Sequence, residues 1–192
     1  MSEIKSVLFV GVGGQGTILA SKTLAEGLMK NGYDVKMSEV HGMAQRGGSV
    51  TTQVRFGEKV YSPLIEKGKA DVIVAFEKSE AARWIPYLKK DGYIVVNDYE
   101  IYPVPVLIGQ EKYPENVLDE LRRVVDNKII MNASKMAEEL GTIKAQNIIL
   151  LGALIKALKL DNLNWEKILE ESLPAKIVDI NKKAIKLGME TV

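Results

Sequence analysis

The apolar run Val7-Leu8-Phe9-Val10 ends on the cluster Gly11-Val12-Gly13-Gly14-Gln15-Gly16, and a helical pattern through Ile18, Leu19, Leu24, Ala25, Leu28 and Met29 follows directly. Four apolar residues in a row suit a strand buried on both faces, and the helical period after the glycines suits a helix folding back over that strand. This strand, turn and helix commits the chain to a layered α/β arrangement. It is also the context in which a GxGxxG pattern carries meaning. Gly11 is expected to make the tight turn, Gly13 to let the backbone approach an anion, and Gly16 to allow close packing of helix on strand. The helix amino terminus would offer free N–H groups and a positive dipole end. As a triphosphate loop the segment is incomplete, because Thr17 stands where GxxxxGK has its lysine.

A second strand is expected from Asp34, and Glu39 near its end falls where a dinucleotide-binding fold keeps the acid that holds a ribose hydroxyl. Directly after it comes Val40-His41-Gly42-Met43-Ala44-Gln45-Arg46-Gly47-Gly48-Ser49, which contains the only histidine of the chain. Long side chains set among glycines make a poor core. They suit a loop that approaches a ligand or partner closely, or else a turn with its charges in water. On the functional reading His41, Met43, Gln45 and Arg46 form the wall of a site or interface, and Arg46 would grip a carboxylate or phosphate with a two-pronged fork that lysine lacks.

Beyond the loop, Ser49 to Phe56 alternates with β-branched residues, and Gly57-Glu58-Lys59 is expected to turn it into Val60-Tyr61-Ser62, a hairpin grafted onto the parallel unit. Ala70 to Ala75, Tyr93 to Val96 and Lys128 to Met131 read as buried strands, the first two separated by a helix over Ser79 to Leu88. Glu77 closes one of these strands. It would either line the carboxyl edge, where α/β proteins bind ligands, or cap the next helix. Asn97-Asp98-Tyr99 ends the following strand on the same edge, with Pro103 and Pro105 holding the next segment extended. Helices are expected over Met136 to Leu140, Ala145 to Leu158, Trp165 to Leu173 and Ala175 to Leu187. In the second of these, Asn147 to Leu154 is apolar nearly all round, so it belongs either to the central core or to a subunit contact. The fold class is thus α/β, a Rossmann-like doubly wound, mostly parallel sheet with an inserted β-hairpin and a helical C-terminal region. It is expected as one domain, with the sheet-bearing core over about 4–132 and the helical part over about 133–192.

The remaining composition excludes whole classes of function. With 26 basic and 25 acidic residues and a net charge of +1, there is no electrostatic footprint for nucleic acid. Zero cysteines leave no disulfide framework and no thiolates for an iron-sulfur cluster. No apolar run approaches the roughly 20 residues of a membrane span, and Met1 to Ser6 lacks a signal-peptide pattern, so a cytoplasmic protein is expected.

The glycine turn Gly11 to Thr17 together with Ser38 to Ser49 resembles the gamma-type module of the 2-oxoacid:ferredoxin oxidoreductases, and most of all the beta subunit of their indolepyruvate branch. The likeness runs from Ile4 to about Leu187 and includes Val60 to Ile65, Ala70 to Ile73 and Asn147 to Ala153. It implies a small Rossmann-like subunit that works against a larger one holding thiamine diphosphate, Mg²⁺ and iron-sulfur clusters. Coenzyme A would lie at the interface, and ferredoxin would be reached only indirectly. The residues placed at a cofactor-binding or active-site wall are Gly11, Gly13, Gly14, Gln15, Gly16, Glu39, His41, Gly42, Met43, Gln45, Arg46, Gly47 and Gly48. The chain itself would hold no cofactor, since the Gly-Asp-Gly that carries thiamine diphosphate through Mg²⁺ in such enzymes is absent. No HExxH pair and no nucleophile elbow is present either, so no self-sufficient catalytic set exists. Two alternatives stay open, a free-standing NAD(P)-binding dehydrogenase and a ligand-sensing module. The isolated chain is expected to pair with the larger subunit or with a second copy of itself.

Overall fold

The computed structural model describes residues 4–42 and 48–192, apart from the side chain of His41. Six strands form one sheet: β1 (Lys5–Val12), β2 (Asp34–His41), β3 (Ser49–Gly57), β4 (Ala70–Ala75), β5 (Leu88–Asn97) and β6 (Asn127–Met131). Their order is β2-β3-β1-β4-β5-β6. β1, β4, β5 and β6 are parallel, while β3 runs antiparallel to both β1 and β2. The antiparallel hairpin is therefore β2–β3, with Asp34 opposite Gly57 and His41 opposite Val50. This corrects the expected turn at Gly57 to Lys59. Val60 to Ser62 forms no strand, and β3 instead folds back between β1 and β2. Alternation identifies a strand and its faces but does not choose its neighbour.

The helices are α1 (Thr17–Lys30), α2 (Lys78–Trp84), α3 (Val104–Leu107), α4 (Val117–Val124), α5 (Ala133–Glu139), α6 (Gln146–Ala157), α7 (Trp165–Ser172) and α8 (Ala175–Glu190). α2 is shorter than the sequence suggests. Pro86 lies in a single 3₁₀ turn, Ile85–Tyr87, and β5 starts at Leu88, because proline cannot carry the α-helical hydrogen bond onward. One face of the sheet packs Val7, Phe9, Val72, Val74 and Val95 under α1, α5, α6, α7 and α8; the other packs Leu8, Val10, Ile73 and Ile94 under α2 and α4. With α1 on one face and α2 on the other, the winding reverses between β1 and β4.

The all-apolar helix is core. Every residue of α6 from Gln146 to Ile155 is buried. α8 crosses it so closely that a Cβ on Gly188 would overlap the Ile149 carbonyl, and one on Gly152 the Ile185 carbonyl. The reading of Asn147 to Leu154 as contact surface is corrected accordingly, since its whole circumference is consumed by neighbouring elements.

Candidate functional site

Between the carboxyl ends of β1 and β4 lies the crevice where open α/β sheets bind their ligands. Here it is filled from within. Gln15 is 6% exposed, its Oε1 accepts the Val12 N–H at 2.8 Å, and its Nε2 donates to the Phe76 carbonyl at 2.8 Å. One side-chain amide thus bridges the two strands across the point of reversal. Gly11 makes room for it, since a Cβ there would lie 2.8 Å from Gln15 Oε1 and 2.9 Å from Phe76 Cβ. Gly11 therefore sits inside β1 and serves packing, in place of the tight turn expected of it. Gly14 turns the chain with φ +100°. Gly16 caps α1 at φ +82°, where a Cβ would meet Asn147 Nδ2 at 2.6 Å, so its close approach is to α6 rather than to a strand. The Gly13 N–H, expected to face an anion, donates to the Gly48 carbonyl at 2.9 Å.

That last bond joins the glycine turn to the base of the central loop. Gly42 N–H donates to the Ser49 carbonyl at 3.0 Å, which closes the hairpin end. Ser49 Oγ donates to Glu80 Oε2 at 2.6 Å, and the same oxygen accepts Trp84 Nε1 at 3.2 Å. Glu80 is 3% exposed and pairs with Arg83 at 3.2 Å. The loop therefore leaves and re-enters the fold at the carboxyl edge of β1, on a base fixed from three directions. Met43, Gln45, Arg46 and Gly47, like the His41 side chain, lie outside the described residues. Glu39 is directed to Lys22 of α1 at 3.8 Å. Because β3 stands between β2 and β1, Glu39 is two strand spacings, about 10 Å, from the glycine turn's strand. A ribose-binding acid sits on the adjacent strand, so the expected geometry is not reproduced.

Further along the edge, Glu77 is fully buried and caps α2, as the second of its two readings had it. Its Oε2 accepts Glu80 N–H at 3.0 Å and Ser79 Oγ at 2.6 Å, while its Oε1 accepts the Tyr113 hydroxyl. Burial, together with the Glu77 carboxylate, pushes the Tyr113 phenol well above its ordinary value. Asn97, also fully buried, donates through Nδ2 to Phe76 O at 3.2 Å and Ser134 Oγ at 3.0 Å, and its Oδ1 accepts Ala133 N–H at 2.9 Å. Ser134 Oγ in turn donates to Gln146 Oε1 at 2.7 Å. A continuous polar seam thus runs from Val12 through Gln15, Phe76 and Asn97 to α6. Beside the turn, Leu19, Ile143, Ile177 and Ile180 wall an open groove of about 490 Å³. No group of three or more acidic, histidine or cysteine side chains suited to a metal occurs among the described residues, and none of their helices is long and apolar enough to cross a membrane.

The pyruvate ferredoxin/flavodoxin oxidoreductase family matches residues 6–191. The chain belongs to this family. It is one subunit of a 2-oxoacid:ferredoxin oxidoreductase. It is 41% identical to the indolepyruvate oxidoreductase subunit IorB of Pyrococcus horikoshii over 192 residues, covering 96% of this chain and 94% of that one. Its fold matches the pyruvate oxidoreductase subunit PORC of Thermotoga maritima with a TM-score of 0.74 at 22% identity, covering 98% and 96% of the two chains. It also matches 31% of the 2-oxoglutarate:ferredoxin oxidoreductase chain of Magnetococcus marinus, over all of this chain, at TM-score 0.72 and 18% identity.

In this family member the residues that shape the edge and that sequence reasoning missed are Glu80, Ser134 and Gln146, while Asn97 was placed on this edge without its partners. None is part of a motif. Buried polar residues near strand ends and helix starts were the only available signal, and their partners are 31 or more residues away in the longer-range pairs, as in Ser49 with Glu80 and Asn97 with Ser134.

Proposed function

We propose that this chain is the thiamine-free, cluster-free subunit of an enzyme that oxidises aryl pyruvates, indolepyruvate foremost, with coenzyme A to an acyl-CoA, carbon dioxide and reduced ferredoxin. The observation that carries the reading is the filled crevice. A subunit whose cleft between β1 and β4 is occupied by its own Gln15, and which fixes the base of a histidine- and arginine-bearing loop beside it, suits a role carried by that loop. The full-length likeness to an indolepyruvate oxidoreductase subunit supports the substrate class.

The chain's own donors do not fit an iron-sulfur cluster, for it has no cysteine and one histidine. Thiamine diphosphate, Mg²⁺ and clusters are therefore assigned to a larger subunit, and coenzyme A to the interface. Within this chain the chemistry reduces to positioning. Glu80 and Gly13 hold the loop's base, and His41, Met43, Gln45 and Arg46 would form one wall of the shared site, with Arg46 directed to an anionic group. We place the enzyme in the cytoplasm. The free dehydrogenase is disfavoured by the occupied crevice and by the position of Glu39.

The test is purification of the tagged chain from its source cells, identification of the chains that accompany it, and assay of indolepyruvate-dependent, coenzyme A-dependent ferredoxin reduction. A larger cysteine-rich chain and that activity are expected. A chain that purifies alone as a monomer and binds NADH at micromolar concentration in calorimetry would replace this reading with the dehydrogenase.

A further inference from the structure

At the amino edge of the sheet, opposite the central loop, the chain crosses from β3 to β4 through residues 58–69. The crossing has no regular secondary structure, yet its backbone is held at four points. Val60 N–H donates to Asp34 Oδ2 at 2.8 Å and Ile65 N–H to Gln53 Oε1 at 2.6 Å. The Arg55 guanidinium donates to the carbonyls of Ser62 at 2.9 Å and Leu64 at 3.3 Å. Val60 and Ile65 are buried, while between them Tyr61 is 87% and Leu64 62% exposed. Two large apolar side chains are thus displayed on a backbone that is already ordered, so little loop entropy remains to be lost when they are covered. Tyrosine in such a position is a common anchor of protein interfaces.

The surroundings define what would cover them. Lys5, Lys36, Arg55, Lys59, Lys67, Lys69 and Lys89 stand on or beside the crossing, against Asp34, Glu58, Glu66 and Asp71. Asp71 is shared between Lys5, at 3.5 Å, and Lys89. The balance is three positive charges in excess. A second copy of the chain fits this poorly, because a two-fold contact lays the same cationic patch against itself.

We propose that Tyr61 and Leu64 form a second contact with the larger subunit, seated in an apolar depression on an acidic face of it. The proposal rests on the preceding reading, that such a subunit exists. It gives the small subunit two attachment points, one at each edge of the sheet, and a use for the Val60 to Ile65 segment, which lies at the edge opposite the central loop.

The test uses the two-subunit complex, co-produced with the tag on this chain. Tyr61→Ser/Leu64→Ser and Lys67→Glu/Lys69→Glu are compared with the unaltered chain for retention of the larger subunit at low and high salt. The apolar double variant should weaken retention by at least about tenfold. The charge double variant should weaken it chiefly at low salt, and high salt should weaken the unaltered complex. Both free variants should melt as the unaltered chain does, because all four side chains are exposed. Equal retention by the apolar variant overturns the contact while leaving the function intact. Retention insensitive to salt and to Lys67→Glu/Lys69→Glu overturns the acidic face. A homodimer of this chain that Tyr61→Ser dissociates assigns the surface to a second copy and overturns it as well. An unaltered chain that captures no larger subunit removes the functional reading and this contact with it.

Discussion

At the carboxyl edge of the sheet Gln15, Glu77 and Asn97 turn inward and take up the backbone donors and acceptors around them. At the amino edge Asp34, Gln53 and Arg55 reach out to hold a loop that buries Val60 and Ile65 and turns Tyr61 and Leu64 to solvent. Both edges use the same bond, side chain to main chain, and to opposite ends. In one place it closes a crevice, and in the other it fixes a display. At the carboxyl edge the space between β1 and β4 is taken by Gln15, and beside it the base of the loop between β2 and β3 is tied down through Gly13 and Glu80. The likeness of the glycine turn to a dinucleotide site is a likeness of residue pattern: Gly11 lies within β1, Gly13 N–H is taken by Gly48, and Gln15 fills the space beside them.

The sharpest way to break the comparison is at that glutamine. Gln15→Ala leaves the Val12 N–H without its partner and takes one of two donors from Phe76 O. A lost buried amide of this kind should cost about 3 kcal/mol. In a chain of this length that lowers the melting temperature by about 6–12 °C. Thermal unfolding followed by circular dichroism checks it. A melting temperature unchanged by the substitution would mean that the crevice is not sealed by Gln15, and the ligand-binding reading of the glycine turn would return.

Much of this could be read before the structure. The strands at Val7 to Val10 and Ala70 to Ala75, the helix through Ile18 to Met29 and the four C-terminal helices all follow from local period and punctuation, which act within a few residues. What could not be read depends on pairing across distance. Ser49 to Phe56 announces a strand, but nothing in its alternation says that it lies between β1 and β2. The all-apolar helix became core because two glycines, Gly152 and Gly188, let α8 press against it. At the site, the position of the central loop was legible and its base was not, since Glu80 and Ser49 meet only once the sheet has formed.

A smaller but more specific effect is expected from the loop. If Arg46 acts only on a partner, Arg46→Ala should leave the melting temperature of the free chain within a shift equivalent to about 0.5 kcal/mol, as a surface substitution does. In the assembled enzyme it should cost about 2 kcal/mol in assembly or turnover, since the anionic group proposed to face Arg46 would be left unpaired in a partly desolvated site. Arg46→Lys should recover only part of that, lacking the fork. Reconstituted oxo acid oxidation beside thermal melting measures both, and an Arg46→Ala complex that forms and turns over normally reduces the loop to a turn.

The amino edge should answer differently. Arg55→Ala removes the bonds to the Ser62 and Leu64 carbonyls and the one to Ser6 Oγ. The cost should be about 1 kcal/mol, because water can replace the guanidinium there. Its signature is local. Hydrogen exchange at Leu64 and Ile65 should quicken while Val12 and Phe76 keep their protection; if protection is lost at both edges together, the two are one cooperative unit and the contrast between them fails.

The smallest effect is expected from pH, at the segment that crosses the carboxyl edge after β5. Lys78 pairs with Glu100 at 2.6 Å and Asp98 at 3.2 Å. The Lys78 hydrogen bond, working against partial burial, holds the Glu100 carboxyl below its ordinary 4.5. Burial works against the Lys78 ammonium, and the Glu100 and Asp98 carboxylates outweigh it, so its pKa lies above the ordinary 10.5. A depressed carboxyl contributes fully above 4.5 and loses its contribution as pH falls through the folded value; a raised lysine contributes fully below 10.5 and loses it as pH rises through its own. Stability from this pair is therefore flat between those limits and declines outside them. The decline should be slight, because Glu100 is more than a third exposed and water screens the pair. Amide exchange measured below pH 4.5 should quicken at Tyr99 and Ile101 before it quickens at Val12, because the amides of Gln15 and Asn97 carry no proton to gain in that range. If Val12 opens first as the solution is acidified, a titrating group rather than Gln15 holds the crevice shut.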